Sequence, residues 1–169
     1  MNVRTSVHAY ITNDCNEILL TKRADIPIWV MPGGTVEQEE SLESALIREV
    51  REEIGLEIGD LKKVMKSKFK LSDKFVYTAK IVGGTIELDS KEVRGFSWVN
   101  PRDLLSTTSL FEKNRIIKVS NFDGNFIEEE SRINKRQEIL HLMTNPISFV
   151  RVLFFYIRNH LKDGVKFKI

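Results

Sequence analysis

Residues 33–56, GGTVEQEESLESALIREVREEIGL, are the stretch on which the fold turns. Just before it, Ile28-Trp29-Val30-Met31 is a short apolar run that Pro32-Gly33-Gly34 closes with a strong breaker. Beyond the turn, Leu42, Ala45, Leu46, Val50 and Ile54 recur at helical spacing, with Ser41 as N-cap and Gly55 as the residue after the last turn. The spacing predicts a helix over 41–54. Wound at about 100° per residue from Leu42, Glu49 falls at about −20° and Glu53 at about +20°, within the apolar arc, and Glu52 lies at its edge.

A surface helix would turn those acids away from its apolar stripe, because a buried unpaired carboxylate is costly or shifts its pKa until it is neutral. Compensation is therefore required. The i, i+3 and i+4 spacing from Glu49 brings Glu52 and Glu53 onto the same patch, where a divalent cation relieves their repulsion. Arg48, one turn before Glu52, is placed to hold that side chain by an ion pair. Ligation by carboxylates alone favours Mg²⁺ or Mn²⁺ over zinc. Two glycines let the backbone approach closely, so the Gly33 carbonyl is a candidate to complete the shell, and such a metal suits a phosphate substrate.

These residues resemble the Nudix hydrolases. The signature of that family, Gly, five residues, Glu, seven residues, then Arg-Glu-aliphatic-x-Glu-Glu-x-Gly-aliphatic, reads here as Gly34, Glu40 and Arg48-Glu49-Val50-Arg51-Glu52-Glu53-Ile54-Gly55-Leu56. Trp29, Leu19-Leu20-x-x-Arg23 and the segment from Glu92 to Trp98-Val99 extend the likeness to about residue 104. Glu39 departs from it, since many members have Gly there.

The resemblance implies an α/β/α sandwich with a mixed sheet and hydrolysis of a nucleoside diphosphate linked to another moiety. It implies that Glu52 and Glu53 ligate the metal with the Gly33 carbonyl, that Glu49 is a ligand or the general base, and that Arg48 orients the glutamates. Glu40 would serve the outer metal or water shell, and Glu92 is the candidate base outside the signature. Arg23 reads either as a phosphate contact or as a solvated strand end. Two rival functions remain at this point: a module that binds a nucleotide or nucleotide-sugar without turnover, against which the intact glutamate set speaks, and an RNA 5′-end pyrophosphohydrolase.

Outward from the signature, Val7, Ala9 and Ile11 alternate with His8 and Tyr10, and Ile18-Leu19-Leu20 follows an Asn13-Asp14 turn, which predicts a hairpin. Lys74 to Val82 and Thr85 to Leu88 flank Gly83-Gly84 as a second hairpin, and Val93 to Val99 reads as a strand. Asn100-Pro101 is expected to open a short helix. Residues 128–143 and 146–162 look helical, the second apolar nearly all round, which suggests packing against a second copy in a homodimer or against a membrane surface. The expected organisation is an α/β (α+β) core over 1–105 containing the helix 41–54. A mainly helical part over 106–169 packs on it, within a single domain.

The chain has 169 residues, 41% of them apolar, enough for one domain with a core and too short for two enzyme domains. Its 26 bases and 24 acids nearly balance, but nine acids against two arginines fill 37–60, and six lysines against Asp73 fill 62–74. Lys66, Lys68 and Lys70 alternate along the second block, either as a phosphate- or RNA-binding face or as guards on an edge strand. The single cysteine, Cys15, excludes an internal disulfide and a zinc ribbon, and fits a reducing, cytoplasmic setting. His8, His141 and His160 are dispersed and read as surface or packing histidines. Gly95-Phe96-Ser97-Trp98-Val99 lacks the last glycine of a serine-hydrolase elbow. No transmembrane run or targeting segment is evident.

Overall fold

The Pro32-Gly33-Gly34 turn lies against the open edge of the first strand. In the computed structural model, which describes residues 3–69, 72–104 and 108–130, strand β1 (Arg4–Ile11) carries this turn on one side and β5 (Ser72–Gly84) on the other. The Ala9 N–H donates to the Pro32 carbonyl at 2.9 Å, Val7 N–H to the Gly34 carbonyl at 2.9 Å, and Val36 N–H to the Thr5 carbonyl at 3.0 Å. The loop therefore takes the hydrogen bonds that a further strand would have made.

The four-stranded sheet runs β1-β5-β4-β7, with β4 at Leu56–Phe69 and β7 at Ile127–Glu130. β1 is parallel to β5, β5 antiparallel to β4, and β4 parallel to β7. A second, antiparallel sheet holds β3 (Trp29–Val30), β2 (Ile18–Arg23) and β6 (Val93–Val99) in that order.

Helix α1 (Leu42–Ile54) covers one face. Its Ala45, Leu46, Val50 and Ile54 pack with Val7, Ala9, Ile11, Leu19, Leu56, Ile58 and Tyr77. Helix α2 (Leu110–Ser120) covers the other, where Ile116 and Val119 join Tyr10, Ile18, Leu20, Val64, Met65 and Val76. Neighbouring strand residues thus go to opposite cores, as the pleat requires, and the result is the expected α/β/α layering on a mixed sheet. Among the described residues no helix is long and apolar enough to cross a membrane.

The predicted helix over 41–54 is present with both its caps. Ser41 accepts from the Ser44 N–H at 3.0 Å, and Gly55, at φ 73°, donates its N–H to the Arg51 carbonyl. The strand over Val93–Val99 is also found.

Four expectations change. β1 and β2 are not a hairpin: one bridge, Thr12 to Ile18, joins their ends, and the two strands enter different sheets because β1 is occupied by β5 and the turn. Residues 85–88 form no strand; the N–H groups of Glu87 and Asp89 instead reach the carbonyls of Ile54 and Glu53 at the end of α1. Asn100-Pro101 opens a turn rather than a helix, held by Asp103 N–H on the Asn100 carbonyl. Residues 128–130, expected as helix, belong to β7.

That last change has an electrostatic cause. Glu128 and Glu130 lie in register with Lys66 and Lys68 of β4, and Lys68 pairs with Glu128 at 2.8 Å. Lys66 pairs with Asp73 at 2.9 Å, and Lys118 of α2 with Glu129. Opposite charges face each other across the adjacent strands, which favours this pairing over its alternatives. β4 is consequently an interior strand, so neither the edge-guard role nor a bare basic face for RNA fits Lys66 and Lys68. Lys70, most of the 106–169 segment and the 146–162 helix with its homodimer expectation lie outside the described residues.

Leu46 is fully buried in α1 and its neighbour Ile47 is 41% exposed. Leu46→Ala is expected to cost about 2–5 kcal/mol in urea unfolding, and Ile47→Ala to stay within about 0.5 kcal/mol of the parent.

Candidate active site

Gly33 and Gly34 set the geometry. Gly33 has φ 136°, and a Cβ there would stand 2.2 Å from the Val7 carbonyl oxygen, so only glycine lets the turn lie this close to β1. A Cβ on Gly34 would stand 2.3 Å from Oε2 of Glu49, which means the α1 carboxylate fills the space a side chain would take. The Gly33 N–H donates to Oε2 of Glu53 at 2.9 Å. The turn and the helix are thus joined through both inward glutamates.

Arg48 organises the neighbouring acids. Its Nε and Nη2 donate to the two oxygens of Glu40, each at 2.9 Å, its Nη1 lies 3.1 Å from both Glu49 and Glu52, and its Nη2 also reaches the Thr35 carbonyl. The hydrogen bonds from this guanidinium lower the pKa of the Glu40 carboxyl, and the carboxylates in turn raise that of Arg48. Glu52 is the outlier of the expected triad, with 59% of its side chain exposed against 14% for Glu49.

Burial pushes the Glu53 carboxyl up to about 7, with the charges of Glu49 and Glu92 adding to it against the pull of the Gly33 N–H and Arg23. Burial also raises Glu49, opposed by Arg48. Glu92 is exposed, yet its charge is felt at both. Arg23 bonds Asp25 through Nε at 2.8 Å and Nη2 at 2.6 Å, and its charge reaches Glu53. The structure therefore gathers Gly33, Glu40, Arg48, Glu49, Glu53 and Glu92, with Arg23 alongside.

Among the described residues, no three His, Cys, Asp or Glu side chains are grouped as a ready metal cage, because Arg48 stands among the acids and Glu52 turns outward. The donors nevertheless suit a hard cation. Glu49 and Glu53 are carboxylates drawn out of water beside a glycine backbone, the charge of Glu49 raises the proton affinity of Glu53, and among the described residues Glu53 takes a hydrogen bond from the Gly33 N–H and no ion pair.

A second group was not legible in the sequence. Glu112 of α2 is fully buried; its Oε1 accepts from the Met31 N–H at 2.8 Å, two residues before Gly33, and its other oxygen pairs with Arg115. His8 and Lys74 complete the surroundings. The i, i+3 spacing of Glu112 and Arg115 was visible, but nothing local indicates that this helix reaches Met31.

A mixed sheet between two helices, with a carboxylate-bearing helix seated on a glycine turn, defines the class of protein. The chain belongs to the NUDIX domain family, whose family model matches residues 2–119. That match crosses the boundary expected near residue 105. A Bacillus subtilis (strain 168) protein named "Putative 8-oxo-dGTP diphosphatase" is 36% identical over 94 residues, 54% of this chain and 62% of that protein. An RNA pyrophosphohydrolase of Ectopseudomonas mendocina (strain ymp) is 41% identical over 59 residues, 35% of this chain and 37% of that one. The chain thus spans less than two-thirds of either relative. The crystal structure of an ADP-ribose pyrophosphatase from Streptococcus suis 89-1591 superposes with a TM-score of 0.62 at 20% identity, covering 77% of this chain and 100% of the other, a likeness of fold.

Glu112 provides a pH test. Burial alone would raise its carboxyl, but Arg115, Lys74 and the Met31 N–H overcome this and bring it from 4.5 down to about 2. A carboxyl whose folded pKa is lowered stabilises fully above the unfolded value and loses that contribution as pH falls towards the folded one. Urea midpoints are expected to drop between pH 4.5 and about 2, less steeply in Glu112→Gln.

Proposed function

We propose that this chain is a metal-dependent pyrophosphohydrolase that cleaves a nucleoside diphosphate linked to another moiety. The observation that carries the reading is the pair of inward carboxylates, Glu49 and Glu53, set against Gly33-Gly34, with one guanidinium, Arg48, shared among Glu49, Glu40 and Glu52. Family membership supports it.

Glu49, Glu53 and the Gly33 carbonyl would hold the cation, with Glu52 joining them by a rotation away from Arg48. Mg²⁺ or Mn²⁺ fits these oxygen donors, and when bound it supplies charge neutralisation for the phosphates and lowers the pKa of coordinated water. Arg48 pairs with Glu49, and Glu40, held by its two bonds to Arg48, would serve the outer shell. Water forms a bond to one phosphorus, the bridging P–O bond breaks, and the water proton passes to a carboxylate. Glu49 is one acceptor for it; Glu92 is the other, a role supported by the electrostatic reach of its carboxylate to Glu49 and Glu53. Arg23, which feels the charge of Glu53, would meet a substrate phosphate.

The names of the similar proteins put oxidised nucleoside triphosphates, 5′-triphosphate RNA and ADP-ribose on the substrate panel. The exposed, unpaired Cys15 supports a cytoplasmic setting. A homodimer through 146–162 is the assembly we propose, and sedimentation of the full chain checks it.

Hydrolysis of at least one panel compound is expected to stop with chelator and return with Mg²⁺ or Mn²⁺. Glu53→Gln should lower kcat by about 100-fold or more while leaving the unfolding midpoint near that of the parent. Full activity of that variant with the metal still required would remove Glu53 from the ligand set.

A further inference from the structure

Gly33 also borders a cavity of about 310 Å³, walled on its apolar side by Ile26, Ile28 and Val30. Three cations line it, Arg23, Lys74 and Arg115, against one carboxylate, Glu112. Two of the cations are already matched, Arg23 by Asp25 and Arg115 by Glu112. Among the described residues no carboxylate lies within ion-pair distance of Lys74. Burial, with Arg115 beside it, brings the Lys74 ammonium down to about 8.

Two further polar atoms at this cavity are buried without a partner among the described residues, Nε of Arg115 and Nε2 of His8. Arg115 is a donor there. Nδ1 of His8 faces the Met31 carbonyl at 3.5 Å; with the proton on Nδ1, Nε2 is left as an acceptor. A desolvated ammonium beside an unmet guanidinium N–H is complementary to an oxyanion, and a neighbouring acceptor is complementary to a hydroxyl. Glu112 keeps this arrangement rigid, since it is bonded to both Arg115 and Met31.

We propose that this cavity takes the moiety linked to the nucleoside diphosphate and selects one that bears an oxyanion, a carboxylate or phosphate, bound by Lys74 and Arg115 Nε–H, with His8 accepting from an adjacent hydroxyl. The proposal rests on the pyrophosphohydrolase reading and adds the substrate class. Gly33 links the two regions: its N–H serves Glu53, and its backbone forms part of the cavity wall, so a diphosphate at the glutamates would present its attached group here.

The test is equilibrium binding by calorimetry to the full chain in EDTA, where metal-dependent turnover does not run. Two pairs of probes are used. UDP-glucuronate and UDP-glucose differ by one carboxylate on the linked sugar, and ADP-ribose 1″-phosphate and ADP-ribose differ by one phosphate on the linked ribose. In at least one pair the more anionic member is expected to bind about tenfold tighter, the worth of one desolvated charge-assisted contact, and the pair that responds identifies the source of the oxyanion. Lys74→Met should reduce the ratio to about twofold or less, while Lys74→Arg keeps it. Lys80→Met, at an exposed lysine paired with Asp60, should also keep it. Equal affinities within both pairs, no binding by any probe, or a preference that survives Lys74→Met would overturn the proposal. Metal-dependent hydrolysis without such a preference would leave the pyrophosphohydrolase reading standing and remove this one alone.

Discussion

The three backbone hydrogen bonds between the 32–36 loop and the free edge of β1 are the constraint on which the site depends. They hold irregular backbone as firmly as a strand, and they do so only because Gly33 brings no Cβ against the Val7 carbonyl. Once the loop is seated, the Gly33 N–H and the space above Gly34 are directed at α1, where Glu53 and Glu49 occupy them. The helix is oriented independently by its apolar stripe and caps. Two rigid elements, each positioned by its own contacts, therefore meet at a pair of carboxylates.

Charge is divided sharply around that turn. On the α1 side the acids exceed the bases, and Arg48 alone links Glu40, Glu49 and Glu52. At the cavity bordered by Gly33 the bases exceed the acids, with Lys74 as the unmatched member. A diphosphate with a cation would be at home on the first side, and an anionic substituent on the second.

The helix α1 and its glutamates were legible because they rest on local rules: a period, an N-cap, a glycine after the last turn, and acids on the wrong face. β4 and β7 were not. The alternating lysines hinted at an extended segment, but only one partner of that segment, β5, is its neighbour along the chain; the other, β7, lies about sixty residues away, and the glutamate run of β7 shows no strand pattern alone. The predicted β1–β2 hairpin failed for a related reason, since the partner of β1 is β5, brought in from far along the chain.

The sequence by itself determined that Glu49 and Glu53 face inward, that a glycine turn precedes their helix, and that the pattern is that of the Nudix hydrolases, because these follow from spacing along one helix and one loop. Only the tertiary structure decided that Glu92 and Arg23 stand near the glutamates, and that Glu112 of α2 reaches Met31, with Arg115, His8 and Lys74 beside it. Those contacts join residues from separate strands and helices, and their energies depend on burial and on the sign of neighbouring charge, quantities that exist only once the layers have packed.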